Sequence, residues 1–201
     1  SNQAGVDNTV ASSGTAFPQT HLERLKKLSK RIILAFDGDK AGRIASEKSA
    51  ALALWLGLEV KVAKLPDGKD PAYMLIESSE KWKNILRESK PAIEMFLFEI
   101  LEEKSQARVT KLIETRLVPM IALIPSKLEK EHAISMVARY SGKSQQVFSE
   151  IIARIKVDEA KQLIVDEEAV VEEDLPILSR REQVEERLTE VREWLKELPG
   201  S

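Results

Sequence analysis

The chain has 201 residues, of which 43% are hydrophobic and 32% charged, with a formal net charge of −2. That length holds one domain or two small ones, the absence of cysteine excludes a disulfide framework and a thiolate zinc site, and no apolar run reaches the roughly 20 residues that span a bilayer. The balanced charge lacks the basic footprint of a nucleic-acid binder, and neither a membrane partner nor a signal peptide is expected.

Strands and helices alternate over the first part of the chain, the pattern of a parallel sheet covered by helices. A short strand is expected at residues 9–11. After Pro18, Thr20 is placed to cap a helix whose apolar side is Leu22, Leu25 and Leu28. Ile32-Ile33-Leu34-Ala35-Phe36 has the length and composition of a buried parallel strand. A helix over 42–56 follows, offering Ile44, Ala51, Leu52, Trp55 and Leu56 for burial, with Gly57 as a left-handed cap. The third strand covers 58–65, Pro66-Asp67-Gly68 turns the chain, and Pro71 opens the next helix.

From Pro91 onward the pattern is helical throughout. Residues 94–101 are too apolar for a one-sided surface helix and belong at the centre of a bundle, which continues through 109–124, 131–140 and 147–155. An acidic stretch ending at Pro176 reads as a linker, assigned to 157–178. The last segment, 179–198, is an amphipathic helix with one stripe formed by Val184, Leu188, Val191, Leu195 and Leu198. It either packs on the bundle, pairs with another copy, or begins a further domain.

The chemistry concentrates where the strand at 32–36 ends in Asp37-Gly38-Asp39. Ligands of open α/β sheets bind at the carboxyl ends of strands, and the side-chain period of two puts both carboxylates on one side. Their mutual repulsion is relieved by a divalent cation, and Mg²⁺ is usually held by one or two carboxylates with waters and substrate phosphates completing the octahedron. Lys40 and Arg43 are candidate phosphate contacts or plain surface charges at a helix start. Asp70 is a further acidic candidate and, beside Pro71, equally a helix N-cap. His21 and His132 stand alone and read as surface or packing residues; Trp55, Trp82 and Trp194 read as packing residues rather than base-stacking platforms.

The block Phe36-Asp37-Gly38-Asp39-Lys40-Ala41-Gly42-Arg43 differs from the Asp-x-Asp-Gly-Thr pattern of haloacid-dehalogenase phosphatases. It resembles the Toprim domain of bacterial DnaG-type DNA primases. Three more blocks agree in order and spacing: Asn8 to Ala16 with its Gly14-Thr15 turn, Leu65-Pro66-Asp67-Gly68-Lys69-Asp70-Pro71, and Pro91-Ala92-Ile93-Glu94-Met95-Phe96-Leu97-Phe98. The resemblance covers roughly residues 3 to 155. It implies a partial Toprim domain over 3–90, Rossmann-like with a parallel sheet and flanking helices, then the helical subdomain over 91–156. The linker and the 179–198 helix would lead toward a helicase-binding domain.

What the resemblance implies for function is template-directed synthesis of short RNA primers in the cytoplasm, with Mg²⁺ or Mn²⁺ as cofactor. Asp37 and Asp39 would hold the metal, Asp70 would support it, and Lys40 and Arg43 would meet phosphates. The partners would be a single-stranded DNA template, ribonucleoside triphosphates and the replicative helicase. Two departures stand out. The family's first Toprim strand, which ends in a Glu, has no counterpart here, so a fragment beginning inside the domain and inactive alone is expected, with Ser1-Asn2 read as a vector remnant. Ala72 also replaces a peripheral Asp found in many primases. A Toprim nuclease or topoisomerase is the enzymatic alternative, although neither Tyr73 nor Tyr140 has the setting of a nucleophile. The non-enzymatic alternative is a helical module that binds a helicase.

Overall fold

The computed structural model describes residues 6, 8–11 and 17–165, and these lie in one compact unit that ends at Val165. The acidic residues after 165 and the amphipathic helix expected over 179–198 lie outside the described residues.

The α/β part follows the chain order expected. Helix α1 (Gln19–Leu28) leads to β1 (Arg31–Leu34), α2 (Lys40–Trp55) and β2 (Glu59–Val62). β1 and β2 pair in parallel with Leu34 opposite Val62, and α2 is the crossover that a parallel pair requires. Four sequence expectations are corrected here. Residues 9–11 form no strand: Thr9 Oγ1 donates to the Val6 carbonyl at 3.2 Å, a local bond that competes with a ladder, and Val10 is 56% exposed. Thr20 does not cap α1; Pro18 occupies the N-cap position, and only Leu22 of the expected stripe is buried while Leu28 faces solvent. The sheet is mixed rather than purely parallel, because β3 (Lys90–Pro91) pairs antiparallel with the end of β2. α2 starts two residues earlier than expected, since Asp39 caps it.

α3 (Pro71–Glu77) and α4 (Ser79–Arg87) follow β2, with Asp70 and Ser78 as their side-chain caps. α5 (Ala92–Leu101) opens the helical part and buries residues on most of its circumference, including Ile93, Phe96, Leu97 and Ile100, as its apolar sequence demands. α6 (Gln106–Leu112) then runs through a π-helical turn, Ile113–Leu117, into α7 (Val118–Ala122). Pro119 explains the irregularity, because proline removes a donor and crowds the preceding turn of an ordinary helix. α8 (Lys127–Ser141) ends at Gly142, whose φ of 68° is the left-handed conformation that glycine adopts without a Cβ penalty. α9 (Gln145–Arg154) precedes α10 (Val157–Val165). α10 occupies the start of the segment assigned to a linker: Ala160 is fully buried and Lys161 stacks 3.3 Å above the Trp55 ring.

Sheet and helices share one apolar core in which Leu34, Val60 and Val62 join Leu97, Ile121 and Val137. A smaller cluster of Leu65, Met74 and Trp82 supports the loop after β2. One mostly buried ion pair also bridges the two parts. Arg116, on the π turn, donates through Nε to Glu47 Oε2 on α2 at 2.9 Å, and through Nη2 to the other carboxylate oxygen. Such a two-bond fork fixes orientation as well as contact. Among the described residues no helix is long and apolar enough to cross a membrane.

Candidate functional site

At the carboxyl end of β1 the chain leaves the sheet through Ala35 and Phe36 and turns at Gly38. Two loops meet there. The Gly38 N–H donates to the Lys69 carbonyl at 2.8 Å, and the Gly68 N–H donates to the Gly38 carbonyl at 3.2 Å. These bonds zip the acidic loop after β1 to the Pro66–Asp70 turn after β2, so Asp37, Asp39, Asp67 and Asp70 belong to one edge of the sheet. The contact needs glycine: a Cβ on Gly38 would lie 2.1 Å from the Pro66 carbonyl oxygen, and one on Gly42 would lie 2.2 Å from that of Asp37.

Two of the candidate carboxylates act as helix caps. Asp39 Oδ1 accepts from the Gly42 N–H at 2.6 Å, and Asp70 Oδ1 accepts from the Tyr73 N–H at 2.6 Å. Each satisfies an orphan donor of its helix, and each keeps a second oxygen for other work. Asp37 and Asp39 are solvent-exposed. Asp37 lines a cavity of about 40 Å³ together with Gly42, Arg43, Ser46, Lys64 and Glu99. Arg43 therefore joins Asp37, whereas Lys40, exposed at the first position of α2, is not among the residues lining that cavity.

The sequence reading did not single out Asp67, Ser46, Lys64 or Glu99. Asp67 also lines the cavity and pairs with Arg43 Nη1 at 3.7 Å, while Lys64 pairs with Glu102 at 3.8 Å. Asp67 had a signal, since it stands inside the 65–71 block; Glu99 had none, lying within an apolar helix. Lys64 and Glu99 also line a neighbouring groove of about 470 Å³ beside Lys90 and Phe98.

Burial pushes the Glu99 carboxyl above the usual carboxylate range, against the pull of Lys64 and Arg43, and Glu102 adds to the rise. The folded chain thus keeps a proton that the unfolded chain has released, and this group's contribution to stability falls as pH rises from the ordinary carboxylate range through its elevated value. Glu99→Gln is accordingly expected to raise the melting temperature at neutral pH. The gain should disappear in acid, where Glu99 carries its own proton. Thermal melts across that range check this, and a gain independent of pH would refute it.

Among the described residues no three His, Cys, Asp or Glu side chains converge as a ready-made metal cage. The donor set nonetheless fits a hard, hydrated cation: two exposed carboxylates at a strand end, beside a cavity whose wall mixes charged and apolar side chains, suit Mg²⁺, which keeps several waters and takes one or two protein carboxylates.

A family profile described as Toprim-like matches residues 1–75. The DNA primase of Lactococcus lactis subsp. lactis is 35% identical over 128 residues, which cover 62% of this chain and 20% of that protein. A DNA primase domain from Pseudomonas aeruginosa superposes with a TM-score of 0.64 at 26% identity, over 76% of this chain and 50% of that one. In sequence and fold the chain is similar to the bacterial DnaG-type primases. A DnaG primase catalytic domain solved with single-stranded DNA shares the fold, with a TM-score of 0.62 at 22% identity over 73% of this chain and 48% of that one. The chain spans a fifth of the length of its Lactococcus relative, and it carries the Asp37-Gly38-Asp39 turn, the Leu65–Pro71 turn and the first helices beyond them.

Proposed function

We propose that this chain is the metal-binding part of a DNA primase, and that the protein it belongs to synthesises short RNA primers on single-stranded DNA for replication. The single observation that carries the reading is the zipped pair of loops. It brings Asp37 and Asp39 to one sheet edge with Arg43 beside Asp37, in a chain whose curated relatives are DNA primases. Those relatives favour primer synthesis over the nuclease, topoisomerase and helicase-module alternatives.

Asp37 and Asp39 would hold Mg²⁺ or Mn²⁺, which when bound neutralises charge on the reacting phosphates and activates the attacking hydroxyl. Arg43 supplies a guanidinium whose fork suits phosphate oxygens, and Asp67 aims it. The neighbouring groove has the volume range of a small-ligand site and leaves room for the nucleoside part of a ribonucleoside triphosphate. Asp70 supports the loop as a cap, and Lys40 contributes positive charge at the rim. In the same reading residues 3–90 are a partial Toprim domain and 91–156 its helical subdomain. The residues beyond α10 would lead, as a linker, toward a part that meets the replicative helicase.

The test is primer synthesis from single-stranded DNA and ribonucleoside triphosphates with Mg²⁺ or Mn²⁺. This chain is assayed alone and together with the polypeptide that precedes the matching region in its curated relatives. Metal-dependent products of RNA in the combined reaction are expected. Their absence, with both parts folded and associated, would overturn the assignment.

A further inference from the structure

Ser46, on the second turn of α2, is 5% exposed, and its hydroxyl has no hydrogen-bond partner among the described residues although it lines the cavity beside Asp37. A serine inside a helix commonly bonds back to the carbonyl four residues earlier; this one does not. A buried hydroxyl left without a partner is costly, and such a group in a cavity that also carries charged side chains on its wall marks the place of a water or ligand. The same cavity is lined by Glu99, half-buried on α5, whose carboxylate has electrostatic interactions with Lys64 and Arg43 and no side-chain hydrogen bond among the described residues. Those two cations are held by other carboxylates, Asp67 and Glu102. At roughly 10–15 Å³ per water, the cavity of about 40 Å³ seats about three.

The geometry points to Ser46 and Glu99 as an outer-sphere cradle: through water in this cavity they bind the hydration shell of a divalent cation held by Asp37 and Asp39. The inference rests on the functional reading above and assigns two positioning residues to it, one from the α/β part and one from the helical part. Glu99 adds negative charge behind the cation without displacing its waters. Direct coordination is not invoked, in keeping with the lack of a third convergent ligand among the described residues. The helical part thereby contributes to the metal site itself as well as to the core.

The experiment uses the 201-residue chain and two probes: Mn²⁺, followed by water-proton relaxation, and cobalt(III) hexammine, an exchange-inert mimic of a fully hydrated cation, followed by amide shifts. Glu99→Gln and Ser46→Ala should each weaken cobalt(III) hexammine binding, Glu99→Gln by roughly fivefold from the lost charge–charge attraction through water. Glu102→Gln removes the same charge one turn further along, at the C-cap of α5 and outside this cavity, and should change affinity by less than about twofold. Asp37→Asn should weaken Mn²⁺ most. Unchanged binding in Glu99→Gln and Ser46→Ala, or an equal loss in Glu102→Gln, overturns the cradle while an Asp37 effect keeps the functional reading. Mn²⁺ binding indifferent to Asp37→Asn removes both.

Discussion

Asp37→Asn, placed in a polypeptide that carries this sequence with the flanking segments of its curated relatives, is expected to lower primer synthesis by more than about 100-fold. That is the upper range seen when only an outer-shell partner of a metal is lost, and Asp37 is proposed as a direct ligand. The melting temperature should hardly move, because Asp37 is exposed in a loop and surface substitutions usually fall within about 0.5 kcal/mol. The split between activity and stability is the diagnostic. Asp39→Asn should also reduce synthesis while preserving the α2 cap, since asparagine caps about as well as aspartate. Asp70→Asn separates the two roles left open for that residue: full activity with the cap kept would assign Asp70 to α3 alone. Wild-type synthesis by Asp37→Asn would remove the metal role from this turn altogether.

The features legible in the sequence were those decided by neighbours along the chain. An apolar run followed by Asp-Gly-Asp gave β1 and its turn, and the apolar density of 92–101 gave a central helix. Gly57, read as a left-handed cap, follows α2 with a φ of 76° because glycine meets the left-handed requirement there. Features decided by distant partners were not legible. β3 is two residues long and exists because the end of β2 offers it a ladder. α10 lies in an acidic stretch that looks solvated, yet its Ala160 finds a place in the core. Leu28 follows the same spacing as Leu22 and remains exposed, since α1 is covered on a narrower stripe than its sequence offers.

The candidate site divides along the same line. Asp37, Asp39 and Arg43 follow from a local motif. Glu99 enters the cavity from a helix 62 positions further on, by packing rather than by spacing. Glu99 also shows the tension common at functional sites: its burial works against stability as pH rises, while its ionised carboxylate is what a cation beside Asp37 would use. A single substitution, Glu99→Gln, should therefore make the chain more heat-stable and a weaker cation binder, which few purely structural roles would produce.

Gly38→Ala is expected to be as damaging as loss of a ligand, for a reason that lies in the backbone. Its new methyl would sit 2.1 Å from the Pro66 carbonyl oxygen and 3.3 Å from that of Leu65. Neither is the flexible end of a side chain, so the two loops must part. Parting them breaks the 2.8 Å bond from Gly38 to Lys69 and the 3.2 Å bond from Gly68 to Gly38, and Asp37 shifts relative to the 65–70 turn. A displacement near 1 Å in a positioned reacting group costs roughly 100-fold in rate. Gly68→Ala is the matched control. At φ +69° its alanine is strained in the backbone, by about 1–2 kcal/mol, but the added Cβ meets nothing within 4 Å. Gly68→Ala should consequently lower the melting temperature and leave most of the synthesis intact once folded. Gly38→Ala should lose synthesis even well below its melting temperature. Equal activity in the two folded variants would show that the zipped loops support the fold alone, and that Asp37 and Asp39 do not depend on the turn after β2 for their placement.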